Sequence, residues 1–211
     1  IFISTIKVNG EKTYGKPFTE NDKPNPKDLY SISKWKAEKF LMEIHNNSGI
    51  EVVIFRVPLV YGPGVKGNFL LLLSSCVKRR MLPLKSITNF RSFLYVENLA
   101  SAITKSISKP DIEYKIYLLS DGADISTTNL VETISSFLCV RPRIFYIPIS
   151  LLFWLGRLFG KLQAVERLTD SLQVDSALIR EELNWSPPFT LEEGLERTVQ
   201  WFNEHRRYDK K

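Results

Sequence analysis

Tyr30 and Lys34 stand four residues apart in the stretch DLYSISKWKAEKFL, residues 28–41. On a helix that spacing puts both side chains on one face. An ammonium beside a phenol favours the phenolate and lowers its pKa from about 10. A tyrosine so placed can take a proton from an alcohol while a hydride leaves the same carbon. The same spacing equally suits a solvent-facing Tyr and Lys on an amphipathic helix. The elements around the pair have to decide.

IFIST, residues 1–5, is β-branched and aromatic and predicts a buried strand ending in the hydroxyls Ser4 and Thr5. Residues 9–27 are rich in Gly, Pro, Asn and Asp and predict a loop. The helix with Tyr30 and Lys34 follows, with Leu29, Ile32, Phe40, Leu41 and Ile44 as its apolar positions, and stops near Gly49. EVVIFRV, 51–57, is a near-continuous apolar strand of the parallel-sheet kind. It leads into the glycine-rich turn YGPGVKGN, 61–68, and then the helical run FLLLLSSCVKRR. RSFLYV predicts a strand before a helix from about Glu97 to Ser108, YKIYLLS (114–120) another strand, and Ser126–Leu138 a helix. RIFYIP predicts a short strand before an apolar helix over 150–168, and SLQVD an extended piece. Thr190 and Glu193 read as a capping box before a last helix with Leu191, Leu195, Val199 and Phe202 on one face. Strand and helix in alternation predict an α/β fold with a parallel sheet, whose strand C-termini are where ligands bind. From about residue 141 the chain turns helix-rich, which predicts a separate lobe.

Composition narrows the function classes. The 211 residues are 44% hydrophobic and 25% charged, enough for a sizeable core. The net charge of +6 suits an anionic ligand or surface. No dense Lys/Arg run with interleaved aromatics is present, so nucleic acid is not an expected partner. Cys76 and Cys139 have no paired spacing, and with two His they form no metal-ligand pattern. They read as small buried residues in a reducing compartment, hence a cytoplasmic location. IPISLLFWLGRLFG, 147–160, is interrupted by Arg157 and falls short of the about 20 apolar residues a membrane span needs. It reads as a buried helix, the alternative being a helix lying on a membrane surface.

With these pieces in place the chain resembles the extended short-chain dehydrogenase/reductase family of NAD-dependent nucleotide-sugar epimerases, dehydratases and reductases. The likeness lies in FISTIKVNG, PFTENDKPNPKDLYSISKWKAE, FRVPLVYGPGVKGNF and FRSFLYVENLASAI, in family order, and extends to YLLSDGADISTTNLV and LNWSPPFTLEEGL. The resemblance implies the C-terminal half of a Rossmann-like doubly wound parallel sheet plus a small helix-rich substrate lobe. The expected division is a partial catalytic domain over 1–140, with substrate loops at 58–69 and 80–95, and a substrate lobe over 141–211. It also implies roles. Thr5, with Ser4 beside it, matches the hydroxyl that bonds the reacting sugar oxygen, and Ser4 is expected beside the cofactor. Tyr30 matches the base, and Lys34 the residue holding the nicotinamide ribose. Val57 and Pro58 match the segment packed beside the nicotinamide. Asn68, with Phe69, matches the stretch beside the nucleotide diphosphate, and Arg91 the arginine that binds that diphosphate. The residues flanking the base depart from the family's usual Pro and Gly: here they are Leu29 and Ser31. The family's G-x-x-G-x-x-G phosphate turn is not found in these residues. This, together with the opening in an apolar run, creates the expectation of a fragment whose N-terminal dinucleotide-binding part is missing.

Family members that eliminate water or carbon dioxide carry an acidic residue just after the hydroxyl position; here Ile6 and Lys7 stand there. That leaves redox at C4 of a nucleotide sugar, with NAD or NADP and a UDP-linked substrate. Reduction of a UDP-4-keto-6-deoxy-hexosamine for surface polysaccharide is the first reading. A UDP-hexose or UDP-N-acetylhexosamine 4-epimerase is the alternative, and an inactive truncated member the third. The family also implies a homodimer through the Tyr-x-x-x-Lys helix, with Trp35, Lys36 and Lys39 as interface candidates.

Overall fold

A run of β-branched and aromatic residues with no polar alternation belongs in a sheet covered on both faces, and VVIFRV is buried at every position. The computed structural model describes residues 1–109 and 114–205. Its elements in chain order are β1 (Phe2–Thr5), a 3-10 turn (Ile6–Val8), α1 (Leu29–Ser48), β2 (Val52–Val57), β3 (Leu59–Tyr61), α2 (Gly67–Val77), β4 (Met81–Leu82), β5 (Phe93–Tyr95), α3 (Val96–Ile107), β6 (Tyr114–Leu118), α4 (Thr127–Phe137), β7 (Arg143–Ile144), α5 (Ile149–Leu158), α6 (Leu162–Thr169), α7 (Ala177–Leu183) and α8 (Leu191–His205). They form two compact units, each drawn from three stretches of chain. Each unit takes segments from both sides of residue 140. Residues 206–211 of the expected lobe lie outside the described residues.

The first unit, residues 1–60, 92–123 and 172–191, holds a parallel sheet in the order β1-β2-β6. The register pairs Ser4 with Arg56 and Thr5 with Val57, so the C-terminal ends of β1 and β2 lie side by side. Val53, Phe55, Val57, Tyr117 and Leu119 from the sheet side pack with Ala102, Ile179, Leu183 and Trp185 into one core. The α7 helix was not foreseen in sequence; Asn184 ends it at φ 46° in the left-handed region that Asn tolerates. The buried Asp121 carboxylate accepts from the Tyr95 N–H at 2.8 Å and the Asn98 amide at 2.8 Å, which anchors the start of α3.

The second unit, residues 61–91, 124–171 and 192–211, is helical with one two-stranded parallel pair, β4–β7. The single helix expected over 150–168 is two, α5 and α6, because the chain turns at Gly160, φ +63°. The α5 helix is also not buried throughout: Trp154 and Leu158 are 58% and 63% exposed. Of the two thiols expected inside, Cys76 is buried, while Cys139 is exposed at a left-handed φ of 55°, just past α4.

Candidate active site

The Tyr-x-x-x-Lys helix starts at a well-defined cap. Asp28 accepts from the Ser31 N–H at 2.7 Å, and the Ser31 hydroxyl accepts from the Asp28 N–H at 3.2 Å, a reciprocal capping box. The Ser31 that stands where the family has Gly thus builds the cap. Lys7 donates to Asp28 at 2.5 Å and to Glu11 at 3.3 Å. Partial burial pushes the Asp28 carboxyl up, but the bonds from Lys7 and Ser31 outweigh it and hold its pKa at about 2.

Tyr30 sits in the first turn of α1 with 54% of its surface exposed. One turn on, the Lys34 ammonium donates to the Ile3 carbonyl at 2.9 Å, 5.9 Å from the Tyr30 ring centroid and 4.7 Å from that of Phe2. The lysine is therefore tied to strand β1 near its C-terminal end. Thr5 closes that strand; its Oγ1 accepts from the Lys7 N–H at 3.3 Å, and a hydroxyl that accepts can still donate its own proton. Val57 and Pro58 are buried at the end of β2, with Val57 in register with Thr5. The first unit so gathers Thr5, Lys34, Val57 and Pro58 at one end of its sheet, with Tyr30 on the same helical face as Lys34.

Ser4, expected beside the cofactor, faces the other way. Its pleat position opposes Thr5, and its hydroxyl donates inward to Glu38. Glu38 and Arg56 form an ion pair with side chains 3% and 4% exposed, Nη2 to Oε2 at 2.6 Å. Arg56 also gives its Nη1 to the Asn9 side chain at 3.0 Å, and Asn9 donates to the Thr19 carbonyl at 3.0 Å. One buried network therefore joins β1, α1, β2 and the loop after the 3-10 turn. Sequence reading missed it. Two signals were present: Glu38 continues the Tyr30, Lys34 spacing by another turn, and a lone Arg inside VVIFRV needs a carboxylate partner. The apolar positions expected to face the core of α1 do not all do so: Leu29, Phe40 and Ile44 are exposed, and the helix buries Ser31 and Glu38.

The remaining expected residues belong to the second unit. Asn68 is exposed in the first turn of α2, and Phe69 is buried, its ring stacked on Tyr61 at 5.5 Å and 24°. The Phe69 side chain is thus part of the interior. Arg91 bridges to Ile125, and its Nη1 donates to the Arg167 carbonyl at 2.9 Å and the Asp170 carbonyl at 3.2 Å, at the C-terminal end of α6. Burial pushes its pKa down, and Asp170 opposes that.

A parallel sheet with helices against it, whose strand ends gather a hydroxyl beside a Tyr-Lys helical face, is a Rossmann-like α/β architecture. The profile of the NAD dependent epimerase/dehydratase family matches residues 1–119, and the chain belongs to that family. A UDP-glucose 4-epimerase of Vibrio cholerae is 44% identical over 96% of this chain, which spans 62% of that relative's length. An undecaprenol-linked N-acetylglucosaminyl diphosphate 4-epimerase of Escherichia coli O157:H7 is 26% identical over 99% of the chain and 66% of its own. Among solved structures, a dTDP-glucose 4,6-dehydratase of Bacillus anthracis in complex with NAD superposes with a TM-score of 0.76 at 23% identity, over 98% of this chain and 62% of that one. That likeness shows the fold.

Proposed function

We propose that the complete protein is a nucleotide-sugar 4-epimerase acting on a UDP-hexose or UDP-N-acetylhexosamine. The 44% identity to a named UDP-glucose 4-epimerase across nearly all of the chain carries this reading. It reverses the order set by the sequence, where reduction of a 4-keto sugar stood first. The positions where eliminating relatives carry acids support it too. Ile6 is 2% exposed and Lys7 is bound to Asp28, so neither serves as a carboxyl acid or base.

In this proposal Tyr30 takes the C4 hydroxyl proton and later returns one, and Thr5 donates to the same oxygen. Lys34 holds the ribose hydroxyls of the cofactor, leaving its Ile3 carbonyl bond or sharing it. Val57 and Pro58 offer the apolar surface against which a nicotinamide ring rests. These donors and surfaces fit the nicotinamide end of NAD or NADP, whose chemistry when bound is hydride transfer at C4. Arg91 and the Asn68–Phe69 backbone serve the diphosphate. The exposed Leu29, Phe40 and Ile44 of α1 support a homodimer through that helix. The test is substrate turnover by the complete protein. UDP-glucose or UDP-N-acetylglucosamine should equilibrate with its C4 epimer without net consumption of cofactor. Consumption of reduced cofactor with the 4-keto-6-deoxy sugar alone would overturn the epimerase in favour of the reductase.

The same C4 chemistry on a polyprenyl-diphosphate-linked sugar is the second reading, since the E. coli relative is named for such a substrate. The apolar exposed side of α5 favours it, and a lipid-linked sugar belongs in the same assay.

A further inference from the structure

The second unit carries an apolar surface apart from the residues assigned to the C4 chemistry. On α5, Leu152 and Gly156 are buried one turn apart. Gly156 lies so close to α6 that a Cβ there would come 2.7 Å from Val165. Leu151, Trp154 and Leu158 follow the i, i+3, i+7 spacing of a second stripe, and are 43%, 58% and 63% exposed. Phe159, just past the helix, is 68% exposed as well. Isolated exposed apolar residues need no explanation; three large ones on one helical face, with Phe159 beside their end, do.

The charge along this segment is mostly positive. Arg141, Arg143, Arg157, Lys161 and Arg167 are all exposed, and Glu166 is the only acidic residue between 141 and 167. A second copy is a poor occupant, because an isologous contact sets the same patch against itself and brings those cations together. An anionic bilayer suits both halves of the pattern. Leu, Trp and Phe side chains settle at the boundary of headgroups and acyl chains, while Arg and Lys reach back to the phosphates. The ten-residue α5 is too short to cross a bilayer, and no described helix is long and apolar enough to do so. We propose that α5, with the turn into α6, is an interfacial helix that docks the protein on an anionic lipid surface, lying in the plane of the membrane.

Vesicle co-sedimentation of the complete protein tests this without reference to turnover, so it can fail while the epimerase reading stands. The protein should sediment with phosphatidylcholine vesicles holding about 30% phosphatidylglycerol, much less with pure phosphatidylcholine, and less at raised salt. Trp154→Glu combined with Leu158→Glu should remove binding. Arg157→Ala combined with Lys161→Ala, which changes exposed side chains only, should weaken it about 30-fold. An unchanged circular dichroism spectrum confirms the fold of each variant. Failure to sediment with the anionic vesicles overturns the proposal. So does a dimer in solution that Trp154→Glu splits while vesicle binding is absent, since the stripe would then serve a second copy.

Discussion

Tyr30→Phe removes one oxygen from a residue that is half exposed and outside the buried core, so the fold should not change. If Tyr30 moves the C4 proton, turnover should fall by about 10²–10⁴-fold, the usual contribution of a positioned acid–base group. UDP-sugar affinity, measured by calorimetry, should stay within about twofold. Retained turnover would remove Tyr30 from the chemistry. The neighbouring Lys34 is already bound to the Ile3 carbonyl, so its ammonium is oriented by the strand before any ligand arrives. This part of the site was legible in sequence, because a four-residue helical spacing survives folding unchanged. The identity of the residue that turns inward was not: Ser4 and Thr5 are chemically alike, and only the pleat decides which one meets Glu38.

Among the elements, β1, α1 and β2 are held in place by polar atoms in the middle of an apolar sheet. Glu38→Ala would leave the Arg56 guanidinium buried without its carboxylate, at a cost of about 3–5 kcal/mol. Urea unfolding should show that loss as a lower midpoint. Replacing both residues together by apolar side chains of similar volume should cost far less, and an equal cost would show that the pair is not a coupled unit. Such a pair is hard to read in advance because a Glu on a helix usually reads as solvent-facing. The strand-helix alternation was legible, since it depends on runs of apolar residues. The split of α5 from α6 was not, because periodicity continues across Gly160 while the backbone turns. Gly156 sets how closely those two helices approach. Gly156→Val should therefore lower the thermal midpoint of the second unit, as an added Cβ alone already meets Val165 at 2.7 Å.

At the scale of the whole molecule, the family and the α/β class follow from motifs in sequence order, whereas the division into units does not, since each unit is stitched from separated segments. That stitching has a consequence for pH. The carboxyls held low, Asp28 and Glu182, both belong to the first unit. Hydrogen bonds from Lys115 and Tyr117 lower Glu182, while Lys7 and Ser31 hold Asp28 at about 2 against its burial. A carboxyl with a depressed folded pKa stabilises the fold above its unfolded value near 4, and the contribution is lost as pH falls toward 2. Glu20 runs the other way: burial raises it, so its ionisation costs stability above pH of about 4.5 and partly offsets the acid loss. Tyr117, buried and donating to Glu182 at 2.7 Å, is raised above its ordinary value of 10. Its contribution is present below pH of about 10 and disappears above it. Both limbs therefore act on the first unit. Hydrogen exchange, corrected for intrinsic rates, should show protection of β2 and β6 falling between pH 4 and 2 ahead of protection in α4 of the second unit. Glu182→Gln should flatten that acid limb, because it removes the titrating group while keeping an acceptor for Tyr117. Equal loss in β2, β6 and α4 across that range would mean that these carboxyls do not govern the acid stability.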